Sequence, residues 1–437
     1  MKYLFVLGRA PTLSIAEILS VFKREGASYK ILNLSEEVLA VDLAEPIKNE
    51  QYFLDKLGGT IKIIEVFGRL SKVSDLRSAF GADELMDKYP NIKQEIKNIP
   101  FPKFYWGVSI YFICKANPHK KQKITEKVKS YLIGIKEVLR ERQIRCRIVS
   151  PPPHKFFLDS PAVSKNKLLA KGGEIVVAVD KEKIYYGKTL AVQNFRFYGL
   201  RDYGRPKRDM KIGMMPPKLA QIMINLSVAE KGGTILDPFC GTGVLLQEAL
   251  LMGYKVIGSD INKQTLESSR KNLEWLASEL NKKSECQLDL EGRLKLFQCD
   301  ASNLAKFIPQ NSIDAIVTEG TLGPRYDRRS PADADIERNF KDLENLYLSA
   351  FNAFKDILIS GGKVVITFPV YQTRQKKYAF APFIDKIVKT GYTIISPIEK
   401  DEVGNDSIIS LSVRKTIIYD RPDQIVGREI VIFSKNA

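Results

Sequence analysis

An α/β fold built on a doubly wound parallel sheet, preceded by an α+β region, is what this 437-residue sequence predicts. Three observations carry that expectation. From residue 217 onward, short apolar runs of strand type alternate regularly with longer helical patterns. Before residue 190, strands and helices follow one another without that regularity, and the stretch from residue 195, FRFYGLRDYGRPKRDMKIGMMPPKL, has no periodicity and separates the two. A composition of 44% hydrophobic and 27% charged residues is that of a globular chain, long enough for two to four domains.

In chain order, a strand at 3–7, a helix at 14–22 ended near Gly26 and a strand at 38–43 make a small α+β cap. A strand in LGGTIKIIEVF (57–67) and the aromatic strand YWGVSIYFICK (105–115) follow. Between Lys121 and Arg142, Ile124, Val128, Leu132, Ile135 and Leu139 recur at helical spacing while Lys123, Lys127, Lys136 and Arg140 lie elsewhere on the turn, which predicts an amphipathic helix with a basic outer side. Strands at 145–149, 174–179 and 183–187 bracket the PPP turn at 151–153. The second half reads as helix 217–229, strand 233–237, helix 242–252, strand 255–260, helix 263–280, strands 294–299 and 313–318, helix 335–358, strand 363–369 and helix 380–390. Strands at 392–397, 407–417 and 428–434 finish the sheet, the last two pairing antiparallel. The expected division is a cap at 1–50, a basic region at 51–190, a linker at 191–216 and a second domain at 217–437.

Charge is distributed unevenly. Residues 1–100 are neutral, 101–216 carry 25 Lys and Arg against 9 Asp and Glu, and 217–437 carry 29 against 28, so nearly all of the net +17 sits in one quarter of the chain. A surface of one sign repels itself unless a polyanion lies on it, which points to nucleic acid as the partner of residues 101–216. No run reaches the eighteen apolar residues of a membrane span, and no membrane partner is expected. With two histidines, His119 and His154, and five cysteines in no CxxC pair, no metal site is expected. Cysteine usage and the absence of a signal-type opening fit a reducing cytosol.

The chemistry concentrates in strand TILD, turn PFCGTG and the helix that follows. Asp237 closes the strand, and Gly241 and Gly243 let the backbone approach a ligand where side chains would collide. About twenty residues later Asp260 ends KVIGSD, where a carboxylate can accept both hydroxyls of a ribose, and Asp300 ends the next strand in LFQCDA, placed to accept from an adenine amine. A dinucleotide turn would read GxGxxG; an aspartate in its place suits a positively charged group instead of a pyrophosphate. Cys240 beside the turn reads as a small buried residue, not a nucleophile.

DPFCGTG followed by SDIN and CDAS resembles the class I S-adenosylmethionine-dependent methyltransferases. The resemblance implies a Rossmann-like methyltransferase sheet with S-adenosylmethionine as cofactor, bound by Asp237, Pro238, Gly241 and Gly243 at the methionine part, Asp260 at ribose and Asp300 at adenine. RDYGRPKRDMKIGMMPPKLAQIMINLS is similar to the tRNA guanosine N2-methyltransferases acting at position 10, which implies tRNA as partner and, in residues 1–190, a ferredoxin-like piece with a THUMP-like RNA-binding region. Those enzymes carry an acidic or amide residue, two prolines and an aromatic at the end of the fourth strand. Here IDAIVTEGTLGPRYD supplies Glu319 in the acidic place, then Gly320, Thr321 and Leu322, with Tyr326 four residues beyond the aromatic place. Glu319 is the candidate catalytic residue, as hydrogen-bond acceptor or base toward a guanine amine, or else a capping or salt-bridging carboxylate. Methylation of rRNA or DNA at an amine, or RNA binding by a fold that has lost transfer, are the alternatives the altered motif leaves.

Overall fold

The computed structural model describes residues 1–79, 87–89, 103–114, 116–141, 143–181, 183–208, 215–282, 288–324, 326, 331–373, 375, 377–404, 408–421 and 424–436. Residues 209–214 of the expected linker, Cys286, and the side chains of Leu132 and Ile135 lie outside that description. The chain divides into two compact units, one of Met1–Pro11, Ala27–Asp55 and Thr60–Phe195, the other of Thr12–Gly26, Lys56–Gly59 and Arg196–Ala437.

The first unit is an eight-stranded sheet of β1 (Lys2–Leu7), β2 (Tyr29–Leu34), β3 (Val38–Leu43), β4 (Thr60–Leu70), β5 (Lys103–Phe112), β6 (Arg145–Val149), β7 (Gly172–Val179) and β8 (Ile184–Val192), ordered β2-β3-β1-β4-β8-β7-β5-β6. β1 pairs antiparallel with β3 on one side and β4 on the other, so one sheet runs through the segments read as a 1–50 cap and a 51–190 region. An edge left open at β1 would be a template for unwanted pairing, and β4 covers it. Helix Pro118–Glu141 buries Val128 and Leu139 against Phe104, Trp106 and Ile110, leaving Lys123, Lys127, Lys136 and Arg140 exposed. At the sheet centre the fully buried Lys62 ammonium meets Glu174 at 2.5 Å, and Thr189 Oγ1 donates to the same carboxylate at 2.6 Å. Burial pulls the lysine below its ordinary range and the carboxylate opposes that pull.

The second unit holds β9 (Thr234–Asp237), β10 (Lys255–Asp260), β11 (Leu294–Gln298), β12 (Ile313–Glu319), β13 (Leu358–Gln372), β14 (Tyr378–Phe380), β15 (Tyr392–Ile395), β16 (Ile417–Tyr419) and β17 (Gly427–Lys435). The order is β11-β10-β9-β12-β13-β17-β15, with β14 beside β13 and β16 beside β17. The first five are parallel, and β17 runs antiparallel between β13 and β15. The chain moves outward from β9 through β11 and then returns to β12 on the other side of β9. That reversal falls between β9 and β12, and the carboxyl ends of strands at such a reversal are where doubly wound sheets bind ligands. Helix Asp333–Ile357 lays Ile336, Phe340, Leu343, Tyr347, Phe351 and Phe354 into the core at helical spacing.

Three expectations need correction. Of the strand expected at 407–417 only its end is realised, as β16 over Ile417–Tyr419, because Ser412 bonds Thr416 across a turn. The stretch taken as an aperiodic linker contains helix Phe195–Tyr203. That helix is held by Arg201, whose guanidinium meets Glu248 at 2.6 Å and lies 4.1 and 4.4 Å from the Phe197 and Tyr198 rings, so it has no apolar stripe to announce it. Helix Pro11–Arg24 begins earlier than expected, and its residues from Thr12 group with the second unit, not with the strands around it. There Glu17 is fully buried, accepting from the Gly58 and Gly59 amides at 2.9 and 2.8 Å and from Asn225 Nδ2 at 2.8 Å. Burial pushes its carboxyl up to about 7 against the pull of those bonds.

Candidate active site

Of four consecutive strands of the second unit, β9, β10 and β12 each end in a carboxylate, and β11 is followed two residues later by one. β9 ends at Asp237, which is buried and accepts from Thr318 Oγ1 at 2.6 Å and from the Phe239 amide at 3.2 Å. Burial pushes this carboxyl up to about 7; the two hydrogen bonds oppose the rise, and the charges of Asp260 and Glu319 add to it. Buried Pro238 and then Phe239 lead into the turn, and Gly243 caps helix Val244–Leu251 at φ +83°. A side chain at Gly243 would be strained by that φ and would bring its Cβ within 2.4 Å of Ser269 Oγ, so glycine is required twice over. Gly241, at φ +51°, donates its amide to Asp260 Oδ2 at 3.0 Å.

Asp260, half-buried at the end of β10, also accepts from the Asn262 amide at 2.8 Å. It thus ties the glycine turn to the start of helix Lys263–Asn281, which Asn262 caps. Asp300 follows β11 and accepts from the Ser302 hydroxyl at 2.7 Å and amide at 2.8 Å, bonds that lower its pKa. Glu319 ends β12 and is ion-paired with Arg428 Nε from β17. The carboxylate of Glu319 thus makes a salt bridge through Oε1, which does not decide between its two readings. Cys240 is 5% exposed, and burial, with Asp237 and Asp260 nearby, pushes its thiol well up, which disfavours the thiolate a nucleophile needs. Tyr326 packs edge-on to Tyr371 at 5.7 Å and donates its hydroxyl to the Asp335 carbonyl at 3.2 Å.

Sequence reasoning missed Thr318, Arg428 and Asn272. Arg428 lies opposite Pro369 on one side of β13 while Glu319 lies opposite Thr367 on the other, so the pair spans the intervening strand. No local pattern marks Arg428, which stands beside a second charged residue, Glu429, at the start of the strand GREIVIFSK. Asn272 is fully buried; its Nδ2 donates to the Thr242 and Lys207 carbonyls at 2.9 Å each and its Oδ1 accepts the Lys207 amide at 2.9 Å, which anchors the glycine turn to the segment before residue 209.

Chemically, these strand ends offer two half-buried carboxylates on adjacent strands, Asp260 and Asp300, a turn with no room for a side chain at Gly243, and the buried acid Asp237. That set fits a ligand with a diol, an amine-bearing ring and a positive centre. Among the described residues no group of three or more His, Cys, Asp or Glu could hold a metal ion, and no helix is long and apolar enough to cross a membrane.

Residues 205–389 match the RMKL-like methyltransferase domain family. The tRNA (guanine(10)-N2)-dimethyltransferase of Methanothermobacter thermautotrophicus is 35% identical over 159 residues, 36% of this chain and 40% of that protein. The tRNA (guanine(10)-N(2))-methyltransferase of Mus musculus is 29% identical over 214 residues, covering 44% and 46% of the two chains. The match thus spans less than half the length of these relatives. A Methanothermococcus thermolithotrophicus protein named as a probable tRNA (guanine(10)-N2)-dimethyltransferase is 34% identical over 129 residues, which cover 70% of it and 29% of this chain. TrmN from Thermus thermophilus, compared over the whole of both chains, shares the fold with a TM-score of 0.52 at 16% identity. By its strand-end acids, its sheet order and these relatives, the chain belongs to the class I methyltransferase family of the tRNA (guanine(10)-N2)-methyltransferases.

Proposed function

We propose that the chain transfers a methyl group from S-adenosylmethionine to the exocyclic amine of a guanosine in tRNA, at position 10. The observation that carries this reading is the row of acids at the ends of β9, β10 and β12 and just after β11, beside the reversal of strand order. Asp260 accepts the ribose hydroxyls and Asp300 the adenine amine, while Asp237, Pro238, Gly241 and Gly243 surround the methionine part. When bound, the cofactor supplies a methyl already activated on a sulfonium sulfur, so the protein's task is alignment. Glu319 accepts an N–H of the amine, whose lone pair is otherwise delocalised into the ring, and its pairing with Arg428 fixes the direction of the carboxylate. Arg428 also offsets the charge of Glu319, which suits an acceptor better than a strong base.

The exposed lysines of helix Pro118–Glu141 and the wider excess of charge over 101–216 grip the RNA backbone, in a region read as THUMP-like. Incubating the protein with labelled S-adenosylmethionine and unmodified tRNA, rRNA and DNA tests the assignment. Label in tRNA as N2-methylguanosine or its dimethyl form supports it; label only in rRNA or DNA moves the substrate. The altered fourth motif favours one other reading, an RNA-binding protein without transfer. Cofactor binding with no label in any nucleic acid would establish that reading instead.

A further inference from the structure

We propose that the backbone after β12, residues 319–324, is a preorganised acceptor for the target amine, with Tyr347, Tyr371 and Asn339 as its positioning residues. The proposal rests on Glu319 being the amine acceptor and says what holds it and its neighbours in place. Two successive prolines would fix this backbone covalently, since each locks φ. Gly320 and Thr321 stand there instead and have no such restraint. The restraint comes from the core. Tyr347 Oη donates to the Thr321 carbonyl at 2.7 Å, Tyr371 Oη to the Leu322 carbonyl at 3.1 Å and Asn339 Nδ2 to the Leu322 carbonyl at 3.3 Å. Both tyrosines are fully buried and Asn339 is 3% exposed.

The three anchors sit on rigid elements. Asn339 and Tyr347 are eight residues apart on helix Asp333–Ile357 and so share a face, and Tyr371 is on β13. Their rings are themselves wedged: Tyr347 stacks on Phe383 at 5.4 Å and meets Phe368 edge-on at 4.9 Å, and Tyr371 leans on Phe340 at 5.7 Å. The two glycines make the clamp possible. A Cβ on Gly320 would lie 2.1 Å from Tyr347 Oη, and one on Gly323, at φ +89°, 2.0 Å from Asn339 Oδ1. With the Thr321 and Leu322 carbonyls engaged by the core, the acceptors presented to the amine are the Glu319 carboxylate and the Gly320 carbonyl. Gly320, which stands where a proline would stiffen the loop, thus admits Tyr347 in its place, and Gly323 admits Asn339.

Tyr347→Phe and Tyr371→Phe in the full-length chain each delete one hydroxyl, and Tyr392→Phe is the control, because its hydroxyl bonds the Phe351 carbonyl in the same core without touching the loop. Amide exchange of residues 319–324, followed by mass spectrometry, should accelerate about fivefold for each loop variant and about twenty-fivefold for the double variant, as expected for one net hydrogen bond apiece. Turnover should fall in parallel, while the KM for tRNA and the affinity for S-adenosylmethionine hold within about twofold, since neither ligand contacts the deleted hydroxyls. Tyr392→Phe should lower Tm and leave exchange and turnover alone. Loop variants that lower Tm as the control does, with exchange and turnover of wild-type value, overturn the proposal. If the wild-type chain transfers no methyl to tRNA, the proposed function fails by itself, and the exchange rates still decide whether the clamp exists.

Discussion

With Asp237 facing the methionine part of the cofactor as proposed, cofactor binding should have a pH dependence whose size follows from the surroundings of that carboxyl. Burial pushes its carboxyl up to about 7, Thr318 and the Phe239 amide pull the other way, and Asp260 and Glu319 press it further up. A ligand carrying a positive centre at this point favours the ionised form, so binding expels the proton. The sign is then fixed: affinity rises as pH climbs through 7 and levels off above it. For a group at about 7 in the free protein and well below that in the complex, the apparent Kd at pH 6 should be about tenfold weaker than at pH 8. At pH 7 roughly half a proton should leave per cofactor bound. Titration calorimetry at the three pH values, repeated in two buffers of different ionisation heat, measures both quantities. Asp237→Asn should bind weakly and without pH dependence. A Kd that stays flat from pH 6 to 8, with heats independent of buffer, would remove Asp237 as the group facing the positive centre.

Other expected outcomes are more direct. Glu17 and Asp237 both have folded-state pKa values raised to about 7, so the stability they contribute is greatest in acid and is lost as pH rises toward and through 7; Tm should decline over that window, and Glu17→Gln should flatten the decline. Asp260→Ala removes the acceptor for the Gly241 and Asn262 amides and, in its proposed role, for two ribose hydroxyls; hydrogen bonds to a charged group contribute about 1.5 to 3 kcal/mol each, so calorimetry should show cofactor affinity weakened at least tenfold. Glu319→Gln should cut turnover by about a hundredfold and also lower Tm, because Arg428 is left buried without its partner; adding Arg428→Met should recover Tm but not turnover. Replacing Lys123, Lys127, Lys136 and Arg140 by Gln should reduce the salt dependence of tRNA binding by about 0.7 to 0.9 in log-log slope for each phosphate no longer neutralised, and an unchanged slope would place the RNA elsewhere.

What could be read in advance was whatever the chain repeats locally. The acids of the site stand at strand ends with a spacing set by one strand and one helix, so Asp237, Asp260 and Asp300 could be located from the alternation alone. Partnerships between distant residues could not be read that way. Arg428 reaches Glu319 from 109 residues away, and nothing local distinguishes it from a surface arginine on a strand. Helix Phe195–Tyr203 escaped because its buried side is a guanidinium among two rings and a carboxylate, and periodicity counts only apolar residues. Glu319 itself was legible as a residue and not as an environment: the sequence favours the acceptor reading and leaves a capping or salt-bridging one open, and only the register of β12, β13 and β17 brings the guanidinium to it.

The assignment of Thr12–Gly26 to the second unit has a consequence for synthesis. Glu17 is made early, yet its amide partner Asn225 lies 208 residues downstream. At about 5 to 20 residues per second, the nascent helix with Ile15, Ile18, Leu19 and Phe22 waits about ten to forty seconds before that partner emerges. During that interval the ribosome carries an apolar helix whose final surroundings do not yet exist. Neither half of the chain can therefore mature as a contiguous length, and a cut near residue 200 strands this helix on the wrong fragment.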